Sequence, residues 1–152
     1  MPSRRDQITM SDDELHAFLG EQKVVTCATI GPNGRPHLMP LWFAADGQKL
    51  RSWTYAKSQK AKNLERDPHA TLQIEDGEQY HELRGVMMEC DVEIEREPDK
   101  VVNFGMALFQ RFGATGPDVE AMIAGQAPKR IGMTFTPTRT ISWDHGKLGG
   151  TY

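Results

Sequence analysis

The chain has 152 residues, a formal net charge of −3 and 26% charged residues; this suits one domain with a real core and excludes a global positive field for nucleic acid. Two cysteines, Cys27 and Cys90, have neither CxxC nor zinc spacing; they read as buried reduced thiols, and no metal site is expected. No apolar run approaches the roughly 18 residues that span a membrane, and the opening Met-Pro-Ser-Arg-Arg-Asp-Gln lacks a secretion signal's apolar stretch, so the expected location is the cytoplasm.

Residues 1–10 are polar and read as a flexible N-terminus, followed by a single domain over 11–152. Ser11-Asp12-Asp13-Glu14 is a capping box. Met10 and Leu15 stand where a hydrophobic staple closes, and Leu15, Phe18 and Leu19 form the stripe of a short structural helix ended by Gly20. Lys23 to Ile30 is β-branched and nearly all apolar or small, a strand covered on both faces. Gly31 to Pro36 contains Asn33-Gly34, a turn signal. His37 to Ala44 is the second strand, again apolar on both faces, with Pro40 arguing for an edge or a bulge. Asp46-Gly47 turns into a third strand, Lys49 to Tyr55.

The segment Thr54 to Ala70 organises the chain. Ser58 is a favoured N-cap, and the helix it opens ends before Pro68. The first turn presents free N–H groups and a positive dipole end, flanked by Lys57, Lys60 and Lys62. This is either a solvated basic helix or an anion site, phosphate being the anion that fits.

Ala70 to Glu75 alternates as a fourth strand, and Tyr80 to Glu95 is a fifth with an acidic solvent face of Glu89, Asp91, Glu93 and Glu95. Glu97 to Phe112 is helical, with Pro98 in its first turn; Val101, Val102, Gly105, Leu108, Phe109 and Phe112 share a side that suits a barrel or a second subunit. Asp118 to Ala124 is a short helix stopped by Gly125. Lys129 to Thr136 and Arg139 to Asp144 are two strands separated by Pro137, and the Gly-rich tail carries His145, Lys147 and Tyr152. Short hairpin turns require antiparallel pairing, so the expected class is mainly β (α+β): a small closed barrel of about six to seven strands with helices packed outside.

Ser58, Lys60, Leu64, Asp67, Pro68, Ala70 and Leu72, following three hairpin-linked strands, together resemble the pyridoxamine-5′-phosphate-oxidase-like split β-barrel superfamily. The strand, Pro137 and a strand carrying Trp143 fit the same pattern, so the resemblance covers about residues 12–145. It implies a homodimer with cofactor sites at the interface, and a cofactor that is FMN, the deazaflavin F420 or, in some branches, haem. By resemblance the phosphate sits on Lys57, Ser58 and Lys60, with Lys62 and Asn63 close by. The ring lies along Met39, Pro40, Leu41 and Trp42 and along Ser52 to Thr54, and the partner chain supplies Trp143 and His145. Ser58-Gln59-Lys60 departs from the Ser-Arg-Lys of true pyridoxamine-phosphate oxidases, and the tail lacks their Arg-rich ending. Lys60 to Pro68 looks more like F420-dependent oxidoreductases of the B type, with FMN the alternative cofactor.

That resemblance implies hydride transfer from reduced F420 to a planar conjugated small molecule, such as biliverdin, a quinone or an enone. A non-catalytic F420, FMN or haem carrier is the alternative. Trp42, Trp53 and Trp143 can wall such a site or pack the core. His145, Tyr152 and His37 are candidate proton donors. Arg51, Lys57, Lys62 and Arg66 can meet the polyglutamate tail of F420 or remain solvated.

Overall fold

The structure, a computed structural model, describes residues 1–150. Its strands are β1 (Val24–Ile30), β2 (Pro36–Trp42), β3 (Ala44–Asp46), β4 (Lys49–Tyr55), β5 (His69–Asp76), β6 (Arg84–Glu95) and β7 (Arg130–Asp144). They form one seven-stranded sheet in the order β2-β1-β5-β6-β7-β4-β3, antiparallel at every pairing. The fold is therefore mainly β (α+β). The sheet curls without pairing its edges, β2 and β3; the chain joins them through Phe43, whose N–H donates to the Lys23 carbonyl at 3.2 Å. The barrel is split rather than closed.

The helices are α1 (Arg4–Ile8), α2 (Asp12–Glu21), α3 (Gln59–Arg66), α4 (Pro98–Arg111) and α5 (Pro117–Gln126). Two apolar clusters hold them. Inside the curl, Val25, Cys27, Leu50, Leu72, Val86 and Phe135 meet Phe18 and Leu19 of α2 and Ala61 and Leu64 of α3. On the outer side, Trp53 of β4 packs with Val101 and Leu108 of α4 and Ile123 of α5. A helix as short as α3 is not stable alone; burial of Leu64, 1% exposed, contributes about 2 kcal/mol toward holding it. Close approach seats α4: a Cβ on Gly105 would lie 2.6 Å from Trp53 Cζ3, and one on Gly132 would lie 2.5 Å from the Phe104 ring.

The capping box at Ser11 and Glu14 forms as its spacing predicts, Pro40 lies on an edge strand, and the acidic row of β6 faces solvent or is only half-buried. Several expectations are corrected. The N-terminal segment holds α1, capped by reciprocal Ser3 and Asp6 bonds; Asp6 performs the role looked for in Glu. Helix α2 passes Gly20 and ends at Glu21, and α5 passes Gly125. The expected second strand breaks at Phe43, and residues beyond it pair with β4 instead. Tyr80–Glu82 is a 3-10 turn ahead of β6. Pro137 does not divide β7: it stands opposite Cys90, the register shifts there, and the extra residue, Thr138, donates its hydroxyl to the Glu89 carbonyl at 3.1 Å. A bulge accommodates the missing proline N–H within one continuous strand.

Strands β1 and β2 are covered on one face only, against the expectation of two. Direct cross-strand partners point to the same side, and the pairs Val24–Trp42, Ala28–Leu38 and Ile30–Pro36 turn outward. Val24, Ile30, Leu38 and Trp42 are 42–60% exposed. An apolar strip of this kind marks an interaction face.

Candidate cofactor site

Strand β4 ends with Ser52, Trp53 and Thr54 all buried. The chain then turns, Ser58 N–H donating to the Tyr55 carbonyl at 3.0 Å, and Ser58 caps α3 by accepting from Ala61 N–H at 3.1 Å. The cap lies beside the strand end, with Ser58 Oγ 3.4 Å from Thr54 Oγ1. In the first turn of the helix, Lys60 points inward and donates from Nζ to Thr54 Oγ1 at 3.1 Å. Lys60 is only 5% exposed, and no carboxylate lies within ion-pair distance of it among the described residues. Burial pulls its pKa below the usual lysine value, while the neighbouring Cys27 thiol opposes that shift. A desolvated ammonium resting on a hydroxyl is costly without an anion. The corner thus sets a cap hydroxyl, a strand hydroxyl and a buried cation side by side, and none of the three lines the cavities of the structure.

Asn63 is fully buried, donating to Thr29 Oγ1 at 3.0 Å and accepting from Gln59 Nε2 at 2.8 Å; its amide ties α3 to β1 and positions the corner. Lys57 and Lys62 are exposed at its rim. Of the other cations expected to meet an acidic tail, Arg51 pairs with Asp46 at 2.9 Å and Arg66 donates to the Ile30 carbonyl.

A cavity of about 320 Å³ crosses the unpaired gap between β2 and β4, within the usual range for a ligand pocket. Pro40, Leu41 and Trp42 line it from β2, Ser52 and Trp53 from β4, and Ser52 Oγ bridges the strands by donating to the Trp42 carbonyl at 2.6 Å. Of the residues expected around the ring, Pro40, Leu41, Trp42, Ser52 and Trp53 share this gap, whereas Met39 and Thr54 are not in its walls. The sequence reading missed the far wall: Leu108 and Phe109 of α4, Met122 and Gln126 of α5, and Arg130 at the start of β7. Phe109 meets Trp42 edge-on at 5.6 Å and Trp53 at 6.3 Å, while Phe112 stacks on Trp42 at 4.0 Å. The apolar face of α4 gave a signal for Phe109; Arg130 gave none, because its place depends on tertiary packing.

Trp143 lies elsewhere in the same chain, its ring against Gly85, and is not among the residues lining the cavity. His145 meets Tyr80 edge-on at 4.6 Å. The Nδ1 atoms of His37 and His145 are buried without a hydrogen-bond partner among the described residues. Tyr152 lies outside the described residues. No group of three or more His, Cys, Asp or Glu able to hold a metal occurs among the described residues. No described helix is long and apolar enough to cross a membrane.

The family described as pyridoxamine 5′-phosphate oxidase matches residues 11–144. The conserved hypothetical protein Rv2991 from Mycobacterium tuberculosis is 39% identical, with a TM-score of 0.90 over 99% of this chain and 95% of that one. An F420 reductase is 25% identical, with a TM-score of 0.67 over 82% of this chain and 94% of that one. HutZ, the haem storage protein from Vibrio cholerae, is 17% identical with a TM-score of 0.69, covering 88% of this chain and 96% of its own, a likeness of fold alone. No curated protein matches the chain. The split sheet, the Ser58-capped corner and the family match agree, and the chain belongs to the pyridoxamine 5′-phosphate oxidase family, within its split-barrel superfamily.

Proposed function

We propose that this protein is an F420-dependent oxidoreductase acting on a planar, conjugated small molecule. The observation that carries the reading is Lys60, a buried cation that has no carboxylate within ion-pair distance among the described residues and rests on Thr54 Oγ1 beside the Ser58 cap. The phosphate of the cofactor would rest there, with Lys57, Lys62 and Asn63 around it. Met39, Pro40, Leu41, Trp42 and Thr54 would border the ring. Similarity to an F420 reductase over 82% of the chain supports F420 over FMN. When bound, reduced F420 supplies a hydride; the chain's residues orient the ring, exclude water and match its charge.

The proposed assembly is a homodimer in the cytoplasm, built on the single domain 11–152. The exposed apolar strip of Val24, Ile30, Leu38 and Trp42 supports burial against a second copy, which would bring Trp143 and His145 to the site. Light scattering on Leu38→Glu tests this: a monomer is expected, and an unchanged dimer would place the interface elsewhere.

Stopped-flow mixing of the protein and reduced F420 with biliverdin, quinones and enones tests catalysis. Protein-dependent oxidation of F420 by at least one acceptor is expected. Tight F420 binding with no turnover on any of them would leave a carrier as the better reading.

A further inference from the structure

Arg130, like Lys60, has no carboxylate partner among the described residues. Its guanidinium lies over the Trp53 ring at 4.4 Å and the Tyr55 ring at 4.0 Å, and its Nε donates to Gln126 Oε1 at 3.0 Å. No Asp or Glu comes within ion-pair distance of it among the described residues, whereas Arg51, Arg84, Arg96 and Arg139 each have one. The stacking, together with a side-chain hydrogen bond to Tyr55, fixes the plane of the fork, and the N–H groups that Gln126 and Tyr55 do not use remain for a ligand. Burial lowers its pKa, the mark of a cation partly stripped of water.

The surroundings agree. The 320 Å³ cavity beside Arg130 adjoins a second of about 240 Å³, and the two share Met122 and Gln126 in their walls. The second is lined by Lys129. Together the walls carry two cations and no Asp or Glu, in a chain whose net charge is −3. The opposite side of the first cavity is aromatic. A groove with flat apolar walls and an unneutralised fork at one end selects a flat molecule that carries an acid.

We propose that the α4–α5 side of this groove binds a planar aromatic or conjugated carboxylate, its ring against Phe109 and Met122 and its carboxylate on Arg130, with Lys129 adding charge at the outer end and the β2 side left to the cofactor ring. This names the substrate class for the proposed function and rests on that reading for the chemistry, but not for the binding.

Isothermal titration with 2-naphthoate and its neutral counterpart 2-naphthamide tests it. The wild-type protein binds naphthoate at least about ten-fold more tightly, the scale of one charge-assisted pair. Arg130→Met brings the two within about two-fold by weakening naphthoate far more than naphthamide, and Arg130→Lys keeps part of the preference as a point charge without the fork. Equal wild-type affinities, or a preference that survives Arg130→Met, would overturn the proposal. If Arg130→Met does not fold, the wild-type ratio and Arg130→Lys decide. Repeating the titration with F420 present separates two sources of carboxylate: naphthoate binding alongside F420 assigns the groove to substrate, and displacement by F420 overturns that in favour of the cofactor's own acidic tail. Failure of F420 to bind at all sinks the proposed function and leaves the naphthoate preference standing.

Discussion

Two cations draped on the barrel's surface elements show what a satisfied charge looks like here. Arg111 of α4 donates to the carbonyls of Leu19 and Gly20 at 3.1 and 3.2 Å and to that of Gln22, closing the C-terminal end of α2, and its guanidinium covers the Phe43 ring at 4.9 Å. Arg84 holds both Asp76 and Glu21 at 2.9 Å. Lys60 is more buried than either, yet among the described residues its ammonium meets only a threonine hydroxyl. The difference separates cations that stabilise the fold from one that the fold carries at a cost. Charges buried for structure are paired; an unpaired one marks a candidate ligand site.

The comparison breaks or sharpens at defined positions. Arg111→Ala should lose about 3 kcal/mol of stability in urea unfolding, since several charge-assisted bonds and a stacked ring go together. A loss below about 1 kcal/mol would place Arg111 with the idle surface charges. Lys60→Met should do the reverse: raise the stability of the ligand-free protein by about 1 kcal/mol by removing an uncompensated charge. Because the folded pKa of Lys60 lies below its ordinary value, the folded state binds fewer protons than the unfolded one between those two values. Wild-type stability should therefore rise with pH through that window, and the variant should lack this rise.

Arg84→Gln should cost under about 1 kcal/mol after solvent screening. Its signature is the acid limb: the hydrogen bond from Arg84 holds Asp76 below the usual carboxylate range, so wild-type stability is present above that range and lost as pH falls through the folded pKa. The variant should lose less stability on acidification. The smallest expected effect is on the thiols. Burial pushes Cys27 up to about 11, with Lys60 opposing, and burial raises Cys90 to about 12. Neither should react with a thiol reagent in the folded protein near neutral pH; both should react in denaturant. Fast native-state labelling of Cys27 would mean that the Lys60 corner is open to solvent.

Much of this was legible in the sequence because it is local. The Ser58 cap, the Pro68 stop and the Ser11 capping box depend on neighbours a few residues away, and the structure realises each. The Ser3 and Asp6 cap is equally local, but its polar segment carries no apolar stripe from which a helix can be read. Other features are not encoded locally. An outward Val24 or Leu38 has the same composition as a core residue, so periodicity alone overstated burial in β1 and β2. Pro137 reads as a strand break until pairing with β6 shows that β7 carries it through in a bulge. Arg130 joins Trp53 and Phe109 only after α4, α5 and β7 have packed, and that convergence is invisible in one dimension.

The central claim is that the Lys60 corner holds the phosphate of F420. Fluorescence titration of the wild-type protein and Lys60→Met with F420 and with FMN tests it most directly. The account predicts micromolar F420 binding, no FMN binding at matched concentrations, and a loss of about 1–3 kcal/mol in F420 affinity for the variant. FMN binding without F420 binding, or an unchanged F420 dissociation constant in Lys60→Met, would contradict it.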